Sequence, residues 1–485
     1  MNQVTKTDFI HFINCPESLW LQKNKPNAYT KGPFSLFLEK LIKEGYEVED
    51  YAKLLFPDGL NLPENSTPTY TNQQLNSNHT VFFQPSFLTP KGVFARVDIL
   101  EKLPDNTYHL YEIKSATSVK KGKLEDACFQ KYVLQECGYT VAKVSIIHLN
   151  KDYRKQGVIQ TKELLTIIDI TENTNDIYSA VANKINAATS YINRNAINEN
   201  KCSCRYKTRT NHCDSFSYFN SDIPDYSIYE IARISAKKIQ QLVAQQYLGI
   251  LDIPLNFKLS TMQQVQVESV RKEKVLINKS SIKSTLNKLQ YPLHFIDYET
   301  FPAAIPKLDH MGPHQHLVFQ VSVHTMQKDG DLTHFEWLGT KIEQPEDMLK
   351  QMQNFTGLTG TFISWNAPFE MSRNKDLLEW VPKFKIYLNY MNAHMFDLMT
   401  IFKTDYVDFR FHGSTSIKKV LPVLCPQFSY SDLEVQDGTM ALDIWGRMVS
   451  DPDFGGDRDT TRKNLLAYCK LDSLAMVEIY RVLIK

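Results

Sequence analysis

Two short segments in the amino-terminal half carry acidic and basic side chains at the spacing of β-strands. Asp98 ends the run FARVD, and Glu112 and Lys114 follow in YEIK on the next predicted strand. At a period of two residues, Glu112 and Lys114 project from the same face. Two carboxylates can hold a divalent cation, and a nearby ammonium can stabilise charge that develops on a phosphoryl group. The pattern indicates phosphodiester hydrolysis, and a salt-bridged, exposed strand face is the alternative.

A second acidic set lies in the carboxyl-terminal half. FIDYETF places Asp297 and Glu299 on one face of an apolar strand, where the two charges repel each other unless a cation or a proton lies between them. Tyr468 and Asp472 are four residues apart and share one face of a predicted helix. Glu370 follows a predicted strand in SWNAPFE. The spacing indicates a further cation site.

Three cysteines are crowded into the segment CSCRYKTRTNHC, at positions 202, 204 and 213. The chain has 8 cysteines in 485 residues, too few for a disulfide scaffold. Crowded thiols usually bind metal, and a zinc site would need a fourth ligand, for which His212 is available.

The elements that must position these residues alternate along the chain. Residues 1–60 have the apolar spacing of helices, residues 80–150 read as short strands with one helical segment, and a second mixed pattern begins after residue 291. We predict an α/β protein divided into residues 1–222, a helical connector at 223–290, and residues 291–485. The polar segment 61–78 is predicted to be a surface loop.

Length and composition limit the class of protein. At about 100–200 residues per domain, 485 residues predict two to four domains. The hydrophobic fraction of 42% and the net charge of +1 exclude a disordered chain and a polybasic nucleic-acid binder. Because the sequence lacks a long apolar run and the pattern of a signal peptide, we expect a cytoplasmic protein without a membrane partner.

The D…ExK order resembles the PD-(D/E)xK nuclease superfamily, and within it the RecB-type, CRISPR-associated exonuclease branch. This resemblance implies a restriction-endonuclease-like core with helical extensions, and catalytic roles for Asp98, Glu112, Lys114 and, in CFQKYVLQECG, Gln130. Tyr132 lies two residues after Gln130, where the branch usually has a spacing of four. An upstream Gly-x-x-x-His motif of the branch matches Gly45 to Glu49, so Glu49 is a candidate metal ligand in place of histidine.

Iron–sulfur members of this branch place one cysteine in the amino-terminal helices and three after the core. Cys15, in INCPESLW, has the matching Cys-Pro motif. The resemblance therefore implies a structural four-iron cluster with the ligands Cys15, Cys202, Cys204 and Cys213. The C-x-C spacing departs from the more usual C-x-x-C, so zinc remains the alternative.

The carboxyl-terminal acids resemble the DEDD exonucleases, which have the RNase H-like fold. The resemblance implies that Asp297, Glu299 and Asp472 bind Mg²⁺ or Mn²⁺ and that Tyr468 orients the attacking water. It leaves two candidates for the middle acid. Glu370 is favoured, although the family usually has aspartate, and Asp397 is the alternative.

The carboxyl-terminal half, with the segments FPAAIPKL, FQVSVHT, GSTSIKKVLP and DGTMA, resembles a bacterial family, domain of unknown function 2779, that joins an iron–sulfur RecB-type domain to a DEDD-type domain. The resemblance covers nearly the whole chain. The expected function is a Mg²⁺- or Mn²⁺-dependent nuclease with two candidate sites. It would act on single-stranded DNA or duplex ends, with RNA as the other substrate, as an exonuclease in repair or defence. The alternative is a nucleic-acid-binding scaffold in which one or both nuclease folds are inactive.

Overall fold

The computed structural model describes residues 3–30, 32 and 35–485, and the chain divides into two compact units. The first unit comprises Met1–Phe34, Leu41–Ile223 and Ala304–Pro306, and the second comprises Ser35–Lys40, Pro224–Ala303 and Lys307–Lys485. Both units combine helices with β-sheet, which confirms the predicted mixed α/β class. Within the described ranges, no helix is both long enough and apolar enough to cross a lipid bilayer.

The first unit is built on a six-stranded sheet with the order β1-β2-β5-β6-β7-β8. Its strands are β1 (Leu60–Asn61), β2 (Val81–Phe83), β3 (Ser86–Leu88), β4 (Phe94–Arg96), β5 (Ile99–Lys102), β6 (Tyr108–Lys114), β7 (Val141–Leu149) and β8 (Leu165–Asp169). Its helices are α1 (Lys6–Asn14), α2 (Pro16–Asn24), α3 (Leu36–Lys53, assigned to this unit from Leu41 on), α4 (Pro68–Leu75), α5 (Lys121–Glu136), α6 (Thr161–Leu164), α7 (Thr171–Ile192) and α8 (Phe216–Phe219).

Local sequence explains where the first helices begin. Thr5 and Asp8 form a capping box in which each side chain accepts a hydrogen bond from the other residue's backbone N–H. The predicted loop at 61–78 contains α4, so that prediction was wrong over the helix. Thr67 caps α4 by accepting a hydrogen bond from the Tyr70 N–H at 3.2 Å, and Leu75 is buried. One buried turn therefore outweighs the polar composition of the segment.

The second unit is built on a five-stranded sheet with the order β12-β11-β10-β13-β14. Its strands are β9 (Leu276–Ile277), β10 (Leu293–Pro302), β11 (His316–Met326), β12 (Leu332–Leu338), β13 (Thr361–Ser364), β14 (Met395–Asp397) and β15 (Tyr406–Val407). Its helices are α9 (Ala236–Ala244), α10 (Thr261–Lys272), α11 (Lys279–Leu286), α12 (Glu346–Thr356), α13 (Pro368–Trp380), α14 (Lys385–Ala393), α15 (Ile401–Thr404), α16 (Ile417–Leu424), α17 (Gly438–Ser450) and α18 (Arg458–Leu483).

Strand β10 lies at the centre of this second sheet. It pairs antiparallel with β11 and parallel with β13, and α18 packs against β10 and β11. Apolar side chains of β10 such as Phe295 and Ile296 are fully buried in the core. Acidic side chains on a strand in this position are removed from bulk water unless a cleft reaches them.

Candidate metal-binding sites

Four cysteines from distant parts of the first unit meet at one point. Cys15 lies between α1 and α2, and Cys202, Cys204 and Cys213 come from the segment between α7 and α8. Their sulfur atoms lie within 4.8 Å of one another, and the Cys202 and Cys213 sulfurs are 4.0 Å apart. Groups of four cysteines bind zinc or iron–sulfur clusters in proteins, so this group could bind a metal.

Polar groups orient two of these thiols. The side-chain amide of Asn220 donates to the Cys202 sulfur at 3.2 Å, and the Cys204 thiol donates to the Asn14 carbonyl at 3.6 Å. Hydrogen bonds among the four thiols lower the pKa of Cys202 and raise the pKa of Cys15, so without a metal the thiols titrate as one group. His212 is not in the group, and its ring stacks on a neighbouring phenylalanine at 3.5 Å.

Asp98, Glu112, Lys114 and Gln130 come together in the first unit. Asp98 precedes β5, and its Oδ2 accepts a hydrogen bond from the Ile113 N–H at 2.7 Å. Glu112, on β6, is fully buried, and its Oε1 pairs with the Lys114 ammonium at 2.7 Å. The Gln130 amide on α5 donates to the other carboxylate oxygen of Glu112. The structure thus places all four residues in one network.

Lys6, at the start of α1, is a member of this network that the sequence did not reveal. Its ammonium lies 2.8 Å from Glu112 Oε1, on the same oxygen that Lys114 contacts. Asp126 on α5 is a second addition, because its Oδ2 accepts from the Lys114 ammonium at 2.7 Å. Sequence spacing could not have identified either residue, since both are charged side chains on helices with no distinguishing motif.

Glu49 lies in the same region, on α3. Its carboxylate accepts a hydrogen bond from the Gln84 amide and pairs with the Lys53 ammonium, both at 2.8 Å. Glu49, Asp98, Glu112, Lys6 and Lys114 all line a cavity of about 290 Å³. Tyr132 does not line this cavity and lies in the core, where its hydroxyl contacts Asn186 at 3.4 Å.

The two acids of this cavity differ in their protonation behaviour. Burial, reinforced by the charge of Glu112, raises the pKa of Asp98 to about 7. For Glu112, burial acts in the same direction, but the ammonium groups of Lys6 and Lys114 outweigh it and hold its pKa below the usual range. A cation that binds Asp98 must therefore compete with a proton near neutral pH.

The second unit brings Asp297 and Glu299 of β10 next to Asp472 of α18. One carboxylate oxygen from each lies within 4.8 Å of the other two. Glu299 is 9% exposed and Asp472 is 6% exposed. Three carboxylates this close can coordinate a hard divalent cation.

Burial raises the pKa values of all three acids, and repulsion by Asp472 adds to the rise at Asp297 and Glu299. The pKa of Glu299 rises to about 8, because it is buried and faces Asp472. Burial raises the pKa of Asp472 to about 6. The pKa of Asp297 rises well above its usual value through burial and the charges of Asp472 and Glu299. Without a cation, the site therefore retains protons that ordinary carboxyl groups would lose.

Several side chains surround these acids. The Tyr430 hydroxyl donates to Asp472 Oδ1 at 2.6 Å, and hydrogen bonds from Tyr468 lower the pKa of Glu299 and Asp472. The Lys418 ammonium lies over the rings of Tyr430 and Tyr468, at 5.3 and 5.2 Å from their centroids. Tyr430 carried no signal in the sequence, because it lies in an irregular segment between α16 and α17.

Two further neighbours limit the space around the carboxylates. The Cys469 thiol donates to Asp297 Oδ2 at 3.5 Å. A Cβ at position 438 would lie 3.1 Å from Glu299 Oε2, so a residue larger than glycine at the start of α17 would have to displace the Glu299 carboxylate slightly.

The two candidates for the middle acid have different surroundings. Glu370, in the first turn of α13, is 3% exposed, and its Oε2 has no hydrogen-bond partner. Burial raises its pKa to about 8. Asp397, at the end of β14, accepts hydrogen bonds at 3.1 Å from the N–H groups of Asn366 and Met399. Asp397 therefore has a structural role as an acceptor, whereas Glu370 has an unused oxygen.

Part of the second unit matches a known family. Residues 294–416 match the family model "Domain of unknown function (DUF2779)". This segment begins within β10 and includes Asp297, Glu299 and Glu370. The match supports the family name that the sequence analysis predicted. Tyr468 and Asp472 lie beyond it.

One curated relative was also found. The chain is 26% identical over 221 residues to "Uncharacterized protein MG366 homolog" of Mycoplasma pneumoniae (strain ATCC 29342 / M129 / Subtype 1). The alignment covers 41% of this chain and 33% of that protein. The chain thus spans about a third of the length of the curated relative that it matches.

Proposed function

We propose that this chain is a metal-dependent nuclease that hydrolyses phosphodiester bonds, with DNA as the main substrate and RNA as the alternative. The observation that carries the proposal is the group formed by Asp297, Glu299 and Asp472, whose oxygens lie within 4.8 Å of one another in a buried site. Three clustered carboxylates, of which two are buried and one is half-buried, destabilise the fold unless protons or cations neutralise them. Proteins usually tolerate this loss of stability only where the carboxylates serve a function.

The proposal includes an RNase H-like fold for the second unit and a PD-(D/E)xK fold for the first. In the second unit, a mixed sheet carrying two acids on its central strand and one on a packed helix supports this assignment. In the first, Asp98 and the pair of Glu112 and Lys114 lie on neighbouring elements around one cavity. The chemistry of a nuclease needs these acids in either unit.

The donor set fits a hard divalent cation, Mg²⁺ or Mn²⁺. Oxygen ligands dominate both acidic sites, and Glu370 adds a buried carboxylate oxygen with no other partner. When bound, the cation would polarise the phosphoryl group and lower the pKa of water. Tyr468 would orient the attacking water through its hydroxyl, and Lys114, held by Asp126, would stabilise charge that develops on the phosphoryl oxygens.

The four-cysteine group has a separate, structural role in this proposal. We assign it a four-iron cluster because its cysteine pattern resembles that of the iron–sulfur nucleases. Zinc is the alternative, and four sulfurs within 4.8 Å of one another would suit a single tetrahedral ion. Purification without oxygen, followed by iron, sulfide and zinc analysis, distinguishes the two metals. Iron and sulfide in equal amounts support the cluster, and one equivalent of zinc contradicts it.

A second candidate function is supported by one observation in the first unit. Both carboxylate oxygens of Glu112 are already engaged, one by Lys6 and Lys114 and the other by Gln130. If these contacts persist when a cation is offered, the first unit would bind nucleic acid without cleaving it. The protein would then act as a nucleic-acid-binding scaffold at this site.

The decisive experiment compares cleavage by the wild type with cleavage by Asp98→Ala and Asp297→Ala. Labelled single- and double-stranded DNA and RNA are incubated with Mg²⁺ or Mn²⁺. We expect each variant to lose the cleavage that its own site performs, by a factor of at least about 100 for a lost cation ligand. Wild-type protein that cleaves none of these substrates with either ion overturns the nuclease proposal.

Matched controls separate catalysis from folding. Asp105→Ala removes an exposed carboxylate from the turn between β5 and β6, and Asp451→Ala removes an exposed one after α17. Both controls should retain wild-type cleavage. If Asp98→Ala cleaves as well as the wild type while Asp297→Ala does not, the first unit is the scaffold described above.

A further inference from the structure

Lys6 has a position that a simple structural ion pair does not explain. Glu112 carries one negative charge, and its Oε1 contacts two ammonium groups, Lys114 at 2.7 Å and Lys6 at 2.8 Å. One ammonium would be enough to neutralise this buried carboxylate. Lys6 is therefore not needed for Glu112 alone, and it also lies at a cavity that Asp98 and Glu49 line with further negative charge.

The two lysines differ in what else holds them. Lys114 has a second anionic partner, the Asp126 carboxylate at 2.7 Å. Within the described part of the chain, the ion pair of Lys6 is with Glu112. If a divalent cation takes Glu112 Oε1, Lys114 keeps its contact with Asp126, and Lys6 is the ammonium that is released.

The released ammonium would face the cavity. Lys6 lines it together with Asp98, Glu112, Lys114 and Glu49, and 31% of the Lys6 side chain is exposed. Three carboxylates and two ammonium groups line this cavity, so one divalent cation makes its formal charge positive. A cavity of that charge attracts a phosphate group.

Helix α1 holds Lys6 at a defined place. Phe9, one turn beyond Lys6, is fully buried and packs on the ring of Phe129 at 5.1 Å. At its other end, the Asn14 carbonyl accepts a hydrogen bond from the Cys204 thiol at 3.6 Å. A cation carried by a helix that is fixed at both ends is positioned precisely enough to contact a ligand.

We propose that Lys6 is a phosphate-contacting residue of the first unit, which Glu112 holds until a divalent cation and nucleic acid enter the cavity. This inference rests on the proposed function and extends it by one substrate-binding residue. Lys6 would bind a non-bridging phosphate oxygen of a single strand, while Lys114 remains beside the cation ligands. The contact is electrostatic and does not depend on the base.

Equilibrium binding of a fluorescein-labelled single-stranded DNA, measured by anisotropy in Ca²⁺ at several salt concentrations, tests this role. A lysine that contacts one phosphate contributes about 0.7 to the slope of log Kobs against log[salt] for single strands. We expect Lys6→Met to lower the slope by that amount and Lys6→Arg to restore it. Lys6→Gln replaces Lys6→Met if the latter does not fold.

Lys23→Met is the matched control, because Lys23 pairs with the buried Asp8 at 2.8 Å and is 25% exposed. It removes a similar ion pair beside α1 but does not line the cavity, so it should keep the wild-type slope. A folded Lys6→Met protein with the wild-type slope overturns the assignment, as does a wild type that does not bind DNA. If DNA binding depends on Lys6 but the wild type cleaves no substrate with Mg²⁺ or Mn²⁺, the nuclease proposal is overturned. The assignment of Lys6 as a phosphate-contacting residue would still hold.

Discussion

Replacing Glu299 by glutamine should stabilise the metal-free protein at alkaline pH. The pKa of this carboxyl rises from 4.5 to about 8 because it is buried and faces Asp472. A carboxyl group whose pKa is higher in the folded state than in the unfolded state binds its proton more tightly when the protein is folded. Ionisation of the group therefore destabilises the folded state. The contribution of Glu299 to the free energy of unfolding is therefore greatest below about pH 4.5 and is lost as the pH rises toward 8.

The size of the effect follows from the same pKa values. One pKa unit corresponds to about 1.4 kcal/mol, so the full rise at Glu299 corresponds to roughly 4 to 5 kcal/mol. Glu299 titrates together with Asp472, which takes up part of this repulsion. We therefore expect Glu299→Gln to raise the free energy of unfolding at pH 8 in EDTA by about 2 to 5 kcal/mol. At pH 4.5 the two proteins should be similar.

Urea unfolding followed by tryptophan fluorescence measures this difference in the relevant unit. Of the 5 tryptophans in the chain, only Trp20 belongs to the first unit. The others, which report on the second unit, are Trp337, Trp365, Trp380 and Trp445. Glu434→Gln changes an exposed residue of the same unit and should have no effect.

Addition of Mn²⁺ should narrow the difference in stability between the two proteins. A cation at 100 times its Kd stabilises the wild type by about 2.7 kcal/mol, and Glu299→Gln should gain less because one ligand is gone. The reasoning is refuted if Glu299→Gln is no more stable than the wild type at pH 8 in EDTA. It is also refuted if both proteins show the same dependence on pH.

Four further predictions concern other residues of these sites. Cys15→Ser should lower the bound metal and the melting temperature of the first unit, as metal analysis and circular dichroism will show, and unchanged metal content would contradict this. Asp397→Ala should cost about 1 to 2 kcal/mol of stability, because two backbone N–H groups lose their acceptor. Glu370→Gln should keep or raise stability but weaken Mn²⁺ binding in calorimetry, and equal Mn²⁺ affinity would exclude Glu370 as a ligand. Tyr430→Phe should move the acidic limb of the cleavage rate to higher pH, since its hydroxyl holds down the pKa of Asp472. A pH–rate profile with an unmoved limb would contradict this role.

Local periodicity accounts for what could be predicted about the fold. Apolar residues at helical or strand spacing identify an element wherever it buries one face, as in β10 and α18. The same periodicity indicated that Asp297 and Glu299 share a face and that Tyr468 lies one turn from Asp472. It failed at residues 61–78, where burial of Leu75 and a cap at Thr67 form a helix in a polar segment.

Contacts between distant segments account for what could not be predicted. Glu370 is favoured over Asp397 as the middle acid because the backbone N–H groups of Asn366 and Met399 donate hydrogen bonds to Asp397. The ion pair of Lys6 with Glu112 joins residues 106 positions apart. No pattern of spacing encodes such a pair, because the path of the chain between the two residues sets their distance.

The sequence by itself determined the chemical types at each site: acids at strand spacing, a tyrosine and an acid on one helical face, and three crowded cysteines. Tertiary structure alone decided which of them meet. It placed Asp472 within reach of Asp297 and Glu299 and left His212 outside the cysteine group. The sequence specifies the type of each side chain and the local periodicity. Proximity and burial, and therefore the pKa values, arise only when distant segments pack together.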